Sequence, residues 1–180
     1  PLVSAELEND IPVGIEGVTG IRSDYVYRGF NLGDVVMDFQ VETEIVIGET
    51  LTLGTGGWLA TEVGKDFTEG AGFLDLHYSL HDNITITTSA SYHAYNDSFF
   101  DNGFDLGSSI TWHVAGDWSI NIGVYRDWAA TGWYADLGSD WSFRLSDETY
   151  LVVSTGISTI ENYYGLSGLN DFHGQVSLTY

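Results

Sequence analysis

From Val13 to Tyr180 the chain alternates apolar and polar side chains with a period of two, in segments longer than a small soluble core requires. Helical periodicity is nowhere sustained. Turn signals cut the pattern into about ten strands: Val13–Phe30, Val35–Gly48, Leu51–Thr61, Gly72–Leu80, Ile84–Tyr95, Phe104–Val114, Trp118–Trp128, Trp133–Leu145, Tyr150–Ile160 and Phe172–Tyr180. All are long enough for the ~9–11 residues that a tilted membrane strand needs. The last one presents Phe172, Gly174, Val176, Leu178 and Tyr180 on one face. An uncapped apolar terminal strand fits a closed barrel in which the last strand pairs with the first.

Composition removes the competing classes. No apolar run approaches the ~18 residues of a membrane helix, so any span has to be built of strands. Cys is absent, which excludes disulfides, thiolate metal sites and thiol nucleophiles. Lys and Arg number 5 against 26 Asp and Glu, for a net charge of −21. A surface so short of cations repels polyanions, and nucleic-acid binding is excluded. The opening Pro1-Leu2-Val3-Ser4-Ala5 has no Met and reads as a mature product of export. Residues 1–12 are expected to be a periplasmic leader, and residues 13–180 one transmembrane domain.

Loop lengths alternate. Gly48–Thr50, His81–Asn83, Ala115–Asp117 and Ser146–Thr149 read as tight turns, whereas Thr61–Ala71, Asn96–Gly103 and Glu161–Asp171 read as longer external loops. Outer-membrane barrels place short turns at the periplasmic rim and long loops outside. Aromatics on the apolar parity form two belts. Tyr78, Trp112, Trp118, Trp141 and Tyr180 fall near the short turns, and Tyr25, Tyr27, Tyr92, Phe104 and Trp133 near the long loops. A soluble antiparallel barrel or sandwich would show the same alternation with the apolar parity inside. Strand length, belting, and the Gly and Ser among the charged parity favour apolar-out around a crowded polar lumen.

Ser23-Asp24-Tyr25-Val26-Tyr27-Arg28-Gly29 lies just before the first external loop. It resembles the opening motif of a family of small uncharacterised bacterial outer-membrane β-barrel proteins. The resemblance implies an outer-membrane location and brings no activity with it. By parity, Glu16, Arg22, Asp24 and Arg28 share the lumen face of the first strand. Across from them stand Asp38, Gln40, Glu42 and Glu44 on the second strand, and Arg144 also points inward. Such a ladder serves either as internal glue among crowded carboxylates or as an electrostatic filter for small solutes.

Other chemistry is thinner. His77, His93, His113 and His173 share the lumen parity at different depths, so no metal site is expected from them. Asp97, Asp101 and Asp105, with Asn102, offer hard oxygen ligands for a divalent cation at an external loop, without EF-hand spacing. Exposed Phe99, Phe100, Tyr163 and Tyr164 suit surface binding, and Arg126 at the upper rim suits a lipid phosphate. No cofactor and no catalytic residue is expected. The reading is an antiparallel up-and-down barrel of about ten strands, with eight or twelve as alternatives, in the bacterial outer membrane among its lipids. It would pass small ions or polar solutes. The alternatives are a plugged barrel acting through its external loops as a binding or structural protein, and a rim hydrolase.

Overall fold

A computed structural model describes residues 3–5, 13–64, 67–96, 100–146 and 149–179. In chain order the strands are β1 (Val3–Ala5), β2 (Val13–Arg22), β3 (Tyr25–Tyr27), β4 (Phe30–Gly33), β5 (Val36–Ile47), β6 (Leu51–Glu62) and β7 (Thr68–His81). They continue as β8 (Ile84–Tyr95), β9 (Gly103–Ala115), β10 (Trp118–Asp127), β11 (Gly132–Arg144), β12 (Tyr150–Tyr163) and β13 (Leu166–Thr179). One 11-stranded sheet runs β1-β2-β5-β6-β7-β8-β9-β10-β11-β12-β13, and β3 pairs with β4 in a separate two-stranded sheet. Every pairing is antiparallel, so the wall is an up-and-down meander.

The apolar parity faces out. In β5, Met37, Phe39 and Val41 are exposed while Asp38 between them is only 7% accessible. Leu74 and Leu76 of β7, Leu106 and Ile110 of β9, and Ile122 and Val124 of β10 repeat the arrangement. Buried positions instead include Asp38, Glu62, Glu69, Asp105 and Asp127. An apolar exterior around a carboxylate-lined interior inverts a soluble protein and suits a hydrocarbon surround. The belts appear as cross-strand pairs on the outer face, with Tyr92 against Phe104 at 4.9 Å near the long-loop rim and Trp118 stacked on Trp141 at 6.4 Å near the short-turn rim. Arg126 lies over the Trp133 ring at 5.5 Å. Tyr180 lies outside the described residues.

Several boundaries differ from the sequence reading. Thr61–Ala71 is largely strand, because β6 reaches Glu62 and β7 already starts at Thr68. Most of Glu161–Asp171 is strand as well, since β12 and β13 continue to a tight turn at Tyr164-Gly165, where φ is 47° and 80°. Glycine accepts that left-handed backbone at little cost, so a short turn replaces the expected loop. The first strand ends at Arg22 rather than Phe30. The chain then bends at Ser23-Asp24, and Tyr25 to Gly33 form the β3–β4 hairpin, whose side chains reach the inner faces of β6 through β13. The meander curls around this hairpin as a barrel wall.

The expected pairing of first and last strands is absent: β2 and β13 are not hydrogen-bonded to each other. Part of the reason is local. β1 occupies the lower free edge of β2, with Val3 opposite Ile15 and Ala5 opposite Val13, where β13 would have docked. Both parities of β2 are consequently open, and Val18 is exposed alongside Ile15 and Ile21.

If the outer face meets hydrocarbon, Val41→Arg in the middle of β5 should lower stability by about 2–4 kcal/mol, the depth-dependent cost of a lipid-facing Arg. Ser89→Arg, inside and opposite Asp75, should leave it near wild type. Denaturant midpoints for folding into lipid vesicles check the contrast.

Candidate functional site

The bend after Arg22 sends the Ser23–Gly29 motif across the lumen. Tyr25, almost fully buried, packs on Trp58 and Phe67 with ring centroids at 5.4 and 6.2 Å, and its hydroxyl donates to Glu69 Oε2 at 2.7 Å. Glu69 is wholly inaccessible. Its other oxygen meets His93 Nδ1 at 2.7 Å, and His93 Nε2 lies 3.1 Å from Ser91 Oγ. The Tyr27 ring covers His93 at 5.2 Å. These contacts fix the first half of the hairpin to β6, β7 and β8.

Arg28 fixes the second half. It sits at the hairpin turn with φ 48°, a conformation uncommon for a residue with a Cβ. Its guanidinium forms an ion pair with Asp105 and reaches Asp127 Oδ2 at 3.2 Å, with a side chain only 9% accessible. Tyr163 hydroxyl donates to the same Asp127 oxygen at 2.7 Å, and Ala130 N–H donates to the other at 2.9 Å. Four rings surround the cation: Tyr27, Tyr134, Tyr125 and Tyr163, at 4.9, 5.2, 5.3 and 5.9 Å. A buried Arg facing two carboxylates through a planar fork, inside an aromatic cage, makes a strong and directional clamp.

Two neighbours complete it. Gly29 has φ 83° and lies so near Asn170 that a Cβ would collide with the amide. Asn170 in turn donates to the Arg28 carbonyl at 2.7 Å. Phe30 stacks on Tyr163 at 5.8 Å and meets Phe100 and Tyr164 edge-on. At the hairpin's return, Asp34 N–H donates to buried Glu62 at 2.8 Å. The space left between the hairpin and the β8–β9–β10 wall is about 10 Å³, roughly one water. The hairpin thereby narrows the long-loop mouth.

The expected ladder does not form as one column. Arg22 pairs with Asp38, two residues removed from the cross-strand neighbour of each. Glu16 stands directly opposite Glu42, a like-charge pair on an open edge. Glu42 accepts from Gln40 at 3.0 Å, and Glu44 is half-buried opposite Gly14. Asp24 is exposed and takes the Ser23 hydroxyl at 3.2 Å. Arg28 leaves the strand for the far wall. Arg144 is exposed at the short-turn rim, its Nε donating to the Ser146 carbonyl at 3.1 Å.

The external cation candidates separate too. Asp105 points inward to Arg28, Asp101 is exposed, and Asp97 lies outside the described residues. Among the described residues no cluster of His, Asp or Glu has metal-holding geometry. Tyr163 is buried in the clamp rather than offered to solvent, Phe100 packs on Phe30, and Phe99 lies outside the described residues. Tyr25 and Tyr27 likewise belong to the hairpin, not to the outer belt. Sequence reasoning missed Glu69 and Asn170 because both fall inside segments read as loops. The scarcity of cations was the usable signal, since an interior rich in carboxylates has few places to send an Arg.

With the geometry in view, the chain is similar to the KdgM porin solved in complex with disordered oligogalacturonate. The TM-score is 0.58 at 12% identity, covering 99% of this chain and 88% of that one. A Pseudomonas aeruginosa FadL homologue aligns with a TM-score of 0.42 at 11% identity, over 96% of this chain and 74% of its own length. No protein-family model matches, and no curated protein is similar in sequence. The likeness to KdgM concerns the fold, a barrel of the porin type.

Arg28→Ala strands two buried carboxylates and should destabilise the barrel by about 3–5 kcal/mol, as for other buried pairs broken on one side. Tyr25→Phe, which removes one hydrogen bond to a charged acceptor, should cost about 1.5–3 kcal/mol. Denaturant midpoints in vesicles check both.

Proposed function

We propose that the protein resides in the bacterial outer membrane and is a narrow pore for small cations and uncharged polar solutes, with a hairpin that restricts its outer mouth. The observation that carries this reading is the inversion of faces. Apolar strands look outward, while Asp38, Glu42, Glu44, Asp75, Asp136 and Asp140 line the wall below the hairpin. Near them in the lumen the cations Arg22 and Arg28 are both engaged by carboxylates. The confined field is negative, raising the local concentration of cations and excluding anions. Oligogalacturonate, named with the KdgM porin, is a polyanion and does not suit this lumen. Membership in the small outer-membrane family is proposed on the resemblance of the Ser23–Gly29 motif alone.

The clamp favours a second reading. Six wall strands hold the β3–β4 hairpin through Trp58, Glu69, Asp105, Asp127, Tyr134 and Asn170, so the barrel is also built to serve as a plugged scaffold. Planar-bilayer recording separates the two. The expected result is small steps with K⁺ preferred over Cl⁻, enlarged several-fold when residues 25–33 are replaced by a short Gly-Ser link. Electrical silence from both folded forms would falsify the pore.

A further inference from the structure

The contacts around Glu69 hold more than the hairpin requires. Ser91 and His93 stand two residues apart on β8, on the same inward parity, and Glu69 meets His93 from β7. The residue directly across from His93 is Ala71, small enough to let the imidazole lean over β7. Glu69 is wholly inaccessible, and its Oε2 already accepts the Tyr25 hydroxyl at 2.7 Å. A carboxylate only accepts, so the proton in the 2.7 Å contact with Oε1 belongs to His93 Nδ1. Nε2 is left with its lone pair, and the group it meets, at 3.1 Å, is the Ser91 hydroxyl.

Hydroxyl, imidazole and carboxylate in this order are the arrangement in which a base, oriented from behind, prepares an oxygen nucleophile. A positive charge stands near it. Ser91 is opposite Asp105 in register, and Asp105 holds the Arg28 guanidinium. Tyr27 covers His93 from the hairpin side at 5.2 Å. Ser91 is half-buried, and towards the short turns the next inward positions of β8 are the small Ser89 and Thr87.

We propose that Ser91, His93 and Glu69 form an acyl-hydrolase site inside the lumen, acting on short-chain esters of uncharged or cationic alcohols that enter from the short-turn end. This goes beyond the pore reading: the negative lumen is the entry route and keeps out anionic esters, but no through-conduction is needed. Ser91 Oγ attacks the ester carbonyl carbon while its proton passes to His93 Nε2, and Glu69 stays ionised beside the imidazolium. Arg28 supplies the charge that the developing oxyanion meets. The bond to the alkoxy oxygen then breaks, the alcohol leaving with the Nε2 proton and the acyl group remaining on Ser91. Water attacks this acyl group in the same way, its proton taken by Nε2 and returned to Ser91 Oγ as the carboxylic acid departs. The sum is ester and water to acid and alcohol. Glu69 and Tyr25 touch no reacting atom and are positioning residues.

Protein in lipid nanodiscs, its folding verified by heat-modifiable migration, would be treated with a small neutral alkyl fluorophosphonate and mapped by mass spectrometry. The adduct, formed with loss of fluoride, is expected on Ser91 and absent from Ser91→Ala and His93→Gln. Hydrolysis of p-nitrophenyl acetate should fall about a hundred-fold or more in Ser91→Ala. Wild type should turn over this ester about ten-fold faster than the anionic p-nitrophenyl hemisuccinate. Because the chain has no Cys, Ser91→Cys carries a single thiol whose alkylation by iodoacetamide reads the imidazole directly. Alkylation is expected to be about ten-fold faster than in Ser89→Cys, and to lose that advantage when His93→Gln or Glu69→Gln is added. No adduct on folded wild type, unchanged turnover in Ser91→Ala, or equal alkylation of the two thiols overturns the site. Equal turnover of the two esters overturns its substrate class. Planar-bilayer recording of the same preparations keeps the two readings apart: Ser91 labelling without conductance supports the hydrolase and removes only the axial pore, and conductance without labelling does the reverse.

Discussion

The two-residue repeat of a strand lets a sheet have one oily face and one polar face, and this chain turns the oily one out. The carboxylates of the wall are then confined together in a narrow interior, where bulk water cannot screen them freely. Few cations are available to offset them. The placement of Arg28 follows from that shortage: a single guanidinium reaches two carboxylates on neighbouring strands and is caged by four tyrosines. It can do so only from the tip of a hairpin that crosses the lumen. Charge balance in the interior and narrowing of the mouth are therefore one structural event.

Buried ion pairs contribute modestly to stability relative to apolar packing, because desolvation offsets most of their attraction. What this clamp supplies is position. Asp127 is held by the Ala130 N–H and the Tyr163 hydroxyl as well as by Arg28, and Gly29 is fitted to the Asn170 amide. The Tyr25–Glu69–His93 chain performs the same task on the opposite wall. A loop held by neutral surface contacts would sample many positions; one held by charge at two opposed walls has a single register.

The wall was legible in the sequence because parity and turn chemistry are local. Ile84–Tyr95 matches β8 to the residue, and β5, β6, β9, β10 and β11 agree within one or two. The motif was legible as special and misread in direction. Period two runs unbroken through Ser23 to Arg28, with neither Gly nor Pro at the bend, so the alternation looks like a longer first strand. What turns the chain there is tertiary: Glu69, Asp105, Asp127 and Asn170 lie from 41 to 142 residues beyond Arg28, and no local pattern announces them. Closure is harder to read for a similar reason, since β1 takes the Val13–Ile15 end of the β2 edge through backbone pairing that hydropathy does not encode.

A barrel that narrows its own mouth changes how its interior is reached. Strand tilt and number limit the width of a ten-strand wall to little more than its own side chains, and the hairpin consumes the outer part of that width. The β2–β13 seam is incomplete because β2 is paired to β1 below and lacks a described neighbour above, and the hairpin's own Val26 and Gly29 line the gap. Plug and seam are thus two consequences of the same bend after Arg22: residues that would have extended β2 upward, and offered β13 a longer edge, cross the lumen instead. A chain that kept β2 straight through Arg28 would gain a partner edge for β13 and lose the cation that its interior needs.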